Sequence, residues 1–171
     1  TFAQLLENCV RAGGDPKNWK EIVGLAYRSP DGTGVIETGI RPYMDMSQIT
    51  FPYECVDTKE LEHRIIYYES SRGCPFSCAY CLSSIDKRVR FRGLDLVKKE
   101  LAWFLEAKVP QVKFVDRTFN CRKDHAMEIW RYIKEHDNGI TNFHFEVAAD
   151  ILKDDEIELI SDMRPGLIQL E

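Results

Sequence analysis

From Ile65 onward the chain alternates between two hydrophobic rhythms. Short runs of strand-forming residues, "IIYYE", "QVKFVD", "NFHFEV" and "GLIQLE", are separated by "LDLVKKELAWFLEA", "KDHAMEIWRYIKEH" and "DDEIELISDM", whose apolar residues recur at helical spacing. Leu94, Val97, Leu101, Phe104 and Leu105 form one helical stripe, and Ala126, Ile129, Trp130 and Ile133 form another. The order βαβαβαβ predicts an α/β fold with a parallel sheet covered by helices. A complete eight-stranded (β/α) barrel takes about 250 residues. Four strands therefore predict a partial, half TIM-like barrel.

The strands are not apolar on both faces, as strands buried between two layers would be. In "NFHFEV" the side chains of Asn142, His144 and Glu146 share one face, while Phe143, Phe145 and Val147 share the other. Gln169 and Glu171 likewise oppose Ile168 and Leu170, and Asp116 and Arg117 fall at the carboxyl end of "QVKFVD". The apolar faces predict packing under the helices, and the polar faces a concave lumen. A solvated sheet face is the alternative.

Ahead of this region Phe2, Leu5, Leu6 and Val10 predict a helix over residues 2–10, stopped by Gly13, Gly14, Asp15 and Pro16. "IVGLAYRSPDGTGVIETG" predicts a hairpin turning at Pro30-Asp31-Gly32. Residues 40–64, with Pro42 and Pro52 and few periodic apolar positions, read as a linker. Residues 1–64 thus form an amino-terminal linker region, and residues 65–171 the half-barrel. The chain starts at Thr1 and stops within a strand, which suggests a piece of a longer protein whose exposed terminal strand could pair with a second copy.

Composition narrows the class. The 171 residues carry a net charge of −5, which argues against a nucleic-acid backbone as main partner and leaves a small-molecule substrate as the expectation. No run of some eighteen apolar residues and no charged-then-apolar leader occurs, so a cytoplasmic setting without membrane contact is expected. Lys87, Arg88, Arg90 and Arg92 read as a solvated basic face, and His125 and His144 as satisfied histidines.

The candidate chemistry lies in "GCPFSCAYC", which places Cys74, Cys78 and Cys81 within eight positions. Three sites compete. Structural zinc usually takes two separated ligand pairs, and a fourth ligand would have to come from His63, Cys55 or Cys121 at unrelated spacings. A redox dithiol at Cys78 and Cys81 leaves Cys74 unexplained. An iron–sulfur cluster suits three clustered thiolates and leaves one iron open.

The spacing of three and then two residues, the position after a strand and the aromatic Tyr80 before the last cysteine resemble the radical S-adenosylmethionine (SAM) superfamily over residues 65–171. The resemblance implies that Cys74, Cys78 and Cys81 hold a 4Fe-4S cluster and that SAM takes the open iron and is cleaved to a 5′-deoxyadenosyl radical. It implies further that Tyr80 lies against the adenine, and that Asp116 and Arg117 meet the methionine end. Glu146, Gln169 and Glu171 fall where ribose or methionine contacts occur, although an internal ion pair with Lys113 or Arg117 would also account for them. The family's usual Gly-Gly-Glu after the second strand is absent, and Asp116-Arg117-Thr118 stands in its place.

"YYESSRGCPFSCAYCLSS", "VKFVDRTFN" and "FHFEVAAD" are similar to the branch that carries a cobalamin-binding domain before the barrel, including the anaerobic magnesium-protoporphyrin monomethyl ester oxidative cyclase type and methyltransferases. Cobalamin is then expected in the parent protein only, because the Asp-x-His-x-x-Gly signature is absent from these residues. The parent is expected to be a radical SAM enzyme catalysing oxidative cyclisation or methyl transfer, with the fragment itself inactive. A methylthiotransferase and a non-enzymatic zinc-binding module are the alternatives.

Overall fold

The computed structural model describes residues 1–13, 19–85 and 87–171, and the chain divides into two compact units, Thr1–Met44 and Asp45–Glu171. In the first, helix α1 (Phe2–Arg11) precedes an antiparallel hairpin of β1 (Ala26–Arg28) and β2 (Val35–Glu37), with Tyr27 opposite Ile36. Asp31 Oδ1 accepts hydrogen bonds from the Thr33 amide at 3.0 Å and its hydroxyl at 2.7 Å, which fixes the turn. After α1 the chain turns through Gly13 at φ +69°; Gly14, Asp15 and Pro16 lie outside the described residues.

The second unit is built on four parallel strands in the order β3 (Ile65–Tyr68), β6 (Gln111–Phe114), β7 (Asn142–Phe145) and β8 (Ile168–Leu170). Between β3 and β6 the chain forms the short antiparallel pair β4 (Ser71–Arg72) and β5 (Arg90–Phe91) and then α2 (Leu94–Glu106). Helices α3 (Lys123–Glu135) and α4 (Asp154–Ser161) make the other two crossovers. This is the half-barrel that the hydrophobic rhythm predicts.

The two-residue period of the strands decides which side chains are buried. Ile66, Tyr68, Val112, Phe114, Phe143 and Phe145 all point into the core, whereas Ile65 and Tyr67 on the opposite face are 49% and 57% exposed. Against the apolar face lie Val97, Leu101 and Phe104 of α2 and Ala126, Ile129, Trp130 and Ile133 of α3. Aromatic rings run through this layer in sequence: Phe104 to Tyr68 at 5.6 Å, Tyr68 to Phe114 at 5.1 Å, Phe114 to Phe145 at 4.5 Å, then Phe145 to Phe119 at 4.3 Å and Phe119 to Trp130 at 5.3 Å. Each fully buried phenylalanine contributes roughly 1.5–3 kcal/mol over an exposed one.

The compact division falls at Met44 and Asp45, so residues 45–64, read from sequence as linker, pack with the sheet. Phe51 meets Phe104 at 5.3 Å and Trp103 at 5.6 Å, and Tyr53 donates to the Tyr67 carbonyl at 2.6 Å. Turns too short for a periodic signal hold these aromatics, which is why the pattern of apolar positions did not reveal them. The same segment is held by Arg92, whose guanidinium bonds the carbonyls of Met46 and Ile49. Arg92 is only 6% exposed and forms a two-point pair with Glu100, itself 4% exposed, while the Tyr68 hydroxyl donates to Glu100 Oε2 at 2.6 Å. Burial first, and the neighbouring carboxylate second, hold the Tyr68 phenol far above its ordinary pKa. Arg92 is therefore a buried tie between α2, β3 and residues 46–49, where sequence had placed it on a solvated face.

Replacing one member of a buried ion pair strands the other. Arg92→Ala is expected to lower unfolding stability in urea by about 3–5 kcal/mol and to make residues 45–50 the first site of limited proteolysis. An unchanged midpoint and cleavage pattern would contradict this placement.

Candidate active site

The polar sheet face and the cysteine loop meet at the carboxyl ends of the strands. In a parallel α/β sheet this is the end at which ligands bind. The register of neighbouring strands sets Lys113 of β6 beside His144 of β7, and His144 beside Gln169 of β8. Lys113 Nζ lies 3.1 Å from Glu171 Oε2 and 3.8 Å from Glu146 Oε1. His144 Nε2 is 3.0 Å from the same Glu171 oxygen, off hydrogen-bonding geometry. The hydrogen bond that Lys113 donates to Glu171, followed by the Lys113 charge, lowers the Glu171 carboxyl below its ordinary pKa, and the same bond raises that of Lys113.

Beside this row a cavity of about 580 Å³ is walled by Tyr67, Glu69, Arg72, Lys113, Arg117 and Glu146, with Gly73 and Ser83 at its cysteine-loop side. Arg72 is committed to Glu69, with Nε donating to Oε1 at 2.8 Å. Arg117 is exposed and, among the described residues, makes no ion pair within the unit. Among the described residues the cavity thus offers the Arg117 guanidinium and the carboxylate of Glu146 to a polar ligand.

The cysteine loop leaves the core between β4 and β5, whose pairing of Ser71 with Phe91 and Arg72 with Arg90 closes its root. The Arg92 amide donates to the Ser70 carbonyl at 2.8 Å, extending that closure. Gly73 then turns the chain at φ +107°, and a Cβ built there would stand 2.3 Å from the Arg88 carbonyl oxygen. Only glycine permits so close a backbone approach. Cys74 follows, buried, with Sγ 3.5 Å from Thr118 Oγ1. Cys78 is exposed and Cys81 half-buried, and the Cys81 amide donates to the Cys78 carbonyl at 3.1 Å, so one turn links them. Tyr80 between them is 94% exposed.

All six cysteines are free thiols. Among the described residues the three loop thiols are not yet gathered within reach of a common metal ion. Their chemistry nonetheless fits an iron–sulfur cluster: three soft donors stand on one loop, and neither Cys78 nor Cys81 spends its sulfur on a hydrogen bond among the described residues. Loop ordering and metal binding are coupled in such sites.

The structure distributes the remaining expected residues unevenly. Arg117 and Glu146 wall the cavity, and Glu171 joins them through Lys113. The ion-pair account of Glu146 and Glu171 is thus realised with Lys113. Gln169 is exposed on the same face. Asp116 does not reach the cavity: it is fully buried and its oxygens are engaged by Ser70 and Ser71. Burial pushes its pKa up to about 6 against the opposing pull of those hydrogen bonds. His125 stands beyond, with Nε2 3.2 Å from Ser70 Oγ, and burial followed by the Arg122 charge depresses its pKa to about 4. Ser70 and Ser71 were missed from sequence, whereas Thr118, read with Asp116 and Arg117 as part of the segment after the second strand, lies against Cys74 Sγ. The signal was a pair of small hydroxyl residues between a strand and the first cysteine, overshadowed by the thiols.

Sequence and fold comparisons now decide the family. Residues 68–170 match the model of the radical SAM superfamily. The chain belongs to that superfamily. It is 38% identical over 143 residues to an uncharacterised methyltransferase of Pyrococcus horikoshii, which covers 79% of this chain and 30% of the relative. It thus spans about a third of that relative's length. Its fold is similar to TsrM of Kitasatospora setae, a radical SAM methyltransferase solved with cobalamin and a [4Fe-4S] cluster, at a TM-score of 0.64 and 15% identity over 91% of this chain and 33% of that one. It is also similar to OxsB, a cobalamin-dependent SAM radical enzyme solved with aqua-cobalamin and SAM, at a TM-score of 0.58 and 16% identity over 92% of this chain and 24% of that one.

Gly73→Ala places a methyl group into the Arg88 carbonyl, whereas Gly139, at φ +74°, has open space where its Cβ would be. Gly139→Ala is expected to cost the ordinary strain of a left-handed residue, about 1–2 kcal/mol. Gly73→Ala should cost clearly more in the same urea titration. Equal losses would show that the cysteine loop does not approach Arg88 so closely.

Proposed function

We propose that this chain is the SAM-cleaving core of a cobalamin-dependent radical SAM enzyme whose reaction is methyl transfer to a small molecule. The observation that carries the reading is the three-thiol loop at the carboxyl-end mouth of a partial barrel, beside a cleft whose walls are charged. The methyltransferase name of the Pyrococcus relative supports methyl transfer over oxidative cyclisation, and superfamily membership supports iron–sulfur over zinc. Because the relatives are about three times longer, cobalamin and the complete activity are proposed for the larger protein, not for these residues alone.

When bound, the cluster supplies the electron that cleaves SAM. The chain's own residues bind and orient. Cys74, Cys78 and Cys81 are the three iron ligands, held on a loop whose root is closed by β4 and β5. Arg117 offers its free guanidinium to a carboxylate, as the methionine end of SAM presents. Glu146 and Glu171, now balanced by Lys113, are placed to exchange that partner for an ammonium or for ribose hydroxyls. Tyr80, with its ring almost wholly in solvent, has a free aromatic face to set against a purine once the loop closes. The net charge of −5 is consistent with a small-molecule substrate.

Anaerobic reconstitution of this chain with iron and sulfide tests the metal site. About four irons and four sulfides per chain are expected, falling to background in the Cys74→Ala/Cys78→Ala/Cys81→Ala variant and unchanged in Cys55→Ala. In the larger protein, SAM labelled on its methyl group should pass that label to product. Tightly held zinc, or iron retained by the triple variant, would overturn the assignment.

A further inference from the structure

One fully buried carboxylate of the second unit, Asp116, lies outside the cleft. Asp116 Oδ1 accepts from the Ser70 hydroxyl at 2.7 Å and the Ser71 hydroxyl at 2.6 Å, and Oδ2 accepts from the Ser70 amide at 3.0 Å. All three donors belong to the two residues that immediately precede Arg72, Gly73 and Cys74. Ser70 is gripped from both sides, because its hydroxyl donates to Asp116 while Nε2 of His125 on α3 lies 3.2 Å from the same oxygen. Phe91 of β5 closes over that histidine, with ring centroids 4.9 Å apart.

A buried carboxylate is costly unless its lone pairs are filled. Here three hydrogen bonds fill them, and among the described residues no lysine or arginine forms an ion pair with Asp116. What these bonds deliver is a fixed backbone direction where the cysteine loop departs. Two residues further along, Thr118 lies against Cys74 Sγ at 3.5 Å. The segment after β6 therefore holds the loop at two points: its root and its first thiol.

We propose that Asp116 is a positioning residue for the thiol site: through Ser70 and Ser71 it fixes the point from which Cys74 departs, and so presets that thiol for its metal. The presetting of the backbone stands on the geometry alone; the step to metal rests on the iron–sulfur reading above. Asp116 touches neither metal nor cofactor in this role. Ser70 and Ser71 carry its hold to Cys74, from which only Arg72 and Gly73 separate Ser71.

The test uses the full 171-residue chain as Ser71→Ala and Asp116→Asn, with Asn138→Ala as control. Asn138 bonds the Leu105 carbonyl and Thr141, at the opposite ends of the strands, so its loss weakens the unit without touching the loop. In metal-free protein, alkylation of Cys74 is followed by peptide mass mapping, and amide exchange is followed in β6 and β7. Cys74 should react roughly ten times faster in both loop-root variants, because local opening exposes it, while β6 and β7 stay protected. Asn138→Ala should leave Cys74 slow. After reconstitution the loop-root variants should retain several-fold less iron than the parent chain. Cys74 rates unchanged in both variants, or rising only together with exchange in β6 and β7, would overturn the positioning role. If the parent chain takes up no iron, the proposed function fails by itself, and the Cys74 rates still decide whether Asp116 sets the loop.

Discussion

The buried carboxylate of Asp116, with its three hydrogen bonds to Ser70 and Ser71, is the constraint on which the functional end of this molecule depends. The apolar layer beneath the sheet would form without it, since the aromatic rings from Phe104 to Trp130 pack through hydrophobic contacts alone. What the aromatic layer cannot do is aim a loop. The strands end at Tyr68 and Phe114, and beyond them the backbone has no ladder to follow. The Asp116 carboxylate replaces the ladder there. It ties the segment after β6 to the segment after β3, and the short β4–β5 pair then carries that order to Gly73 and Cys74.

A second polar tie works beside the same strand, β3. Arg92 and Glu100 join α2 to residues 46–49, with Tyr68 completing the carboxylate's bonding. The two ties share a logic. Each buries an ionised group, which is unfavourable alone, and each recovers the loss by fixing irregular backbone that apolar packing leaves undetermined. The second tie lies on the loop's return path, because Arg92 immediately follows β5. The thiol loop is thus held between one tie at its outgoing strand and another at its returning strand, while Cys78, Tyr80 and Cys81 at its tip stay open to solvent or half-exposed.

How much of this was legible in the sequence follows from the range of the forces involved. Periodicity reports local geometry, so the strands and the helices α2, α3 and α4 were readable from apolar spacing, as was the polar face carrying His144 and Glu146. The cysteine spacing was readable because ligand chemistry restricts it. Partners across the fold were not. Arg92 and Glu100 look like surface charges until a helix and a strand bring them together. The resemblance to the superfamily implied a cofactor contact for Asp116, yet Ser70 and Ser71, 46 and 45 residues away, take its oxygens. Phe51 and Tyr53 sit in turns that have no period, so their part in the core was invisible.

The central claim is that the loop of Cys74, Cys78 and Cys81 leaves one metal position for SAM. The most direct measurement is electron paramagnetic resonance of the reduced, reconstituted chain with and without added SAM. A [4Fe-4S] spectrum whose g values shift when SAM is added is the expected result, together with 5′-deoxyadenosine formed from SAM and not from S-adenosylhomocysteine, whose thioether offers no sulfonium to cleave. A cluster spectrum indifferent to SAM, or no cluster at all, would contradict the account.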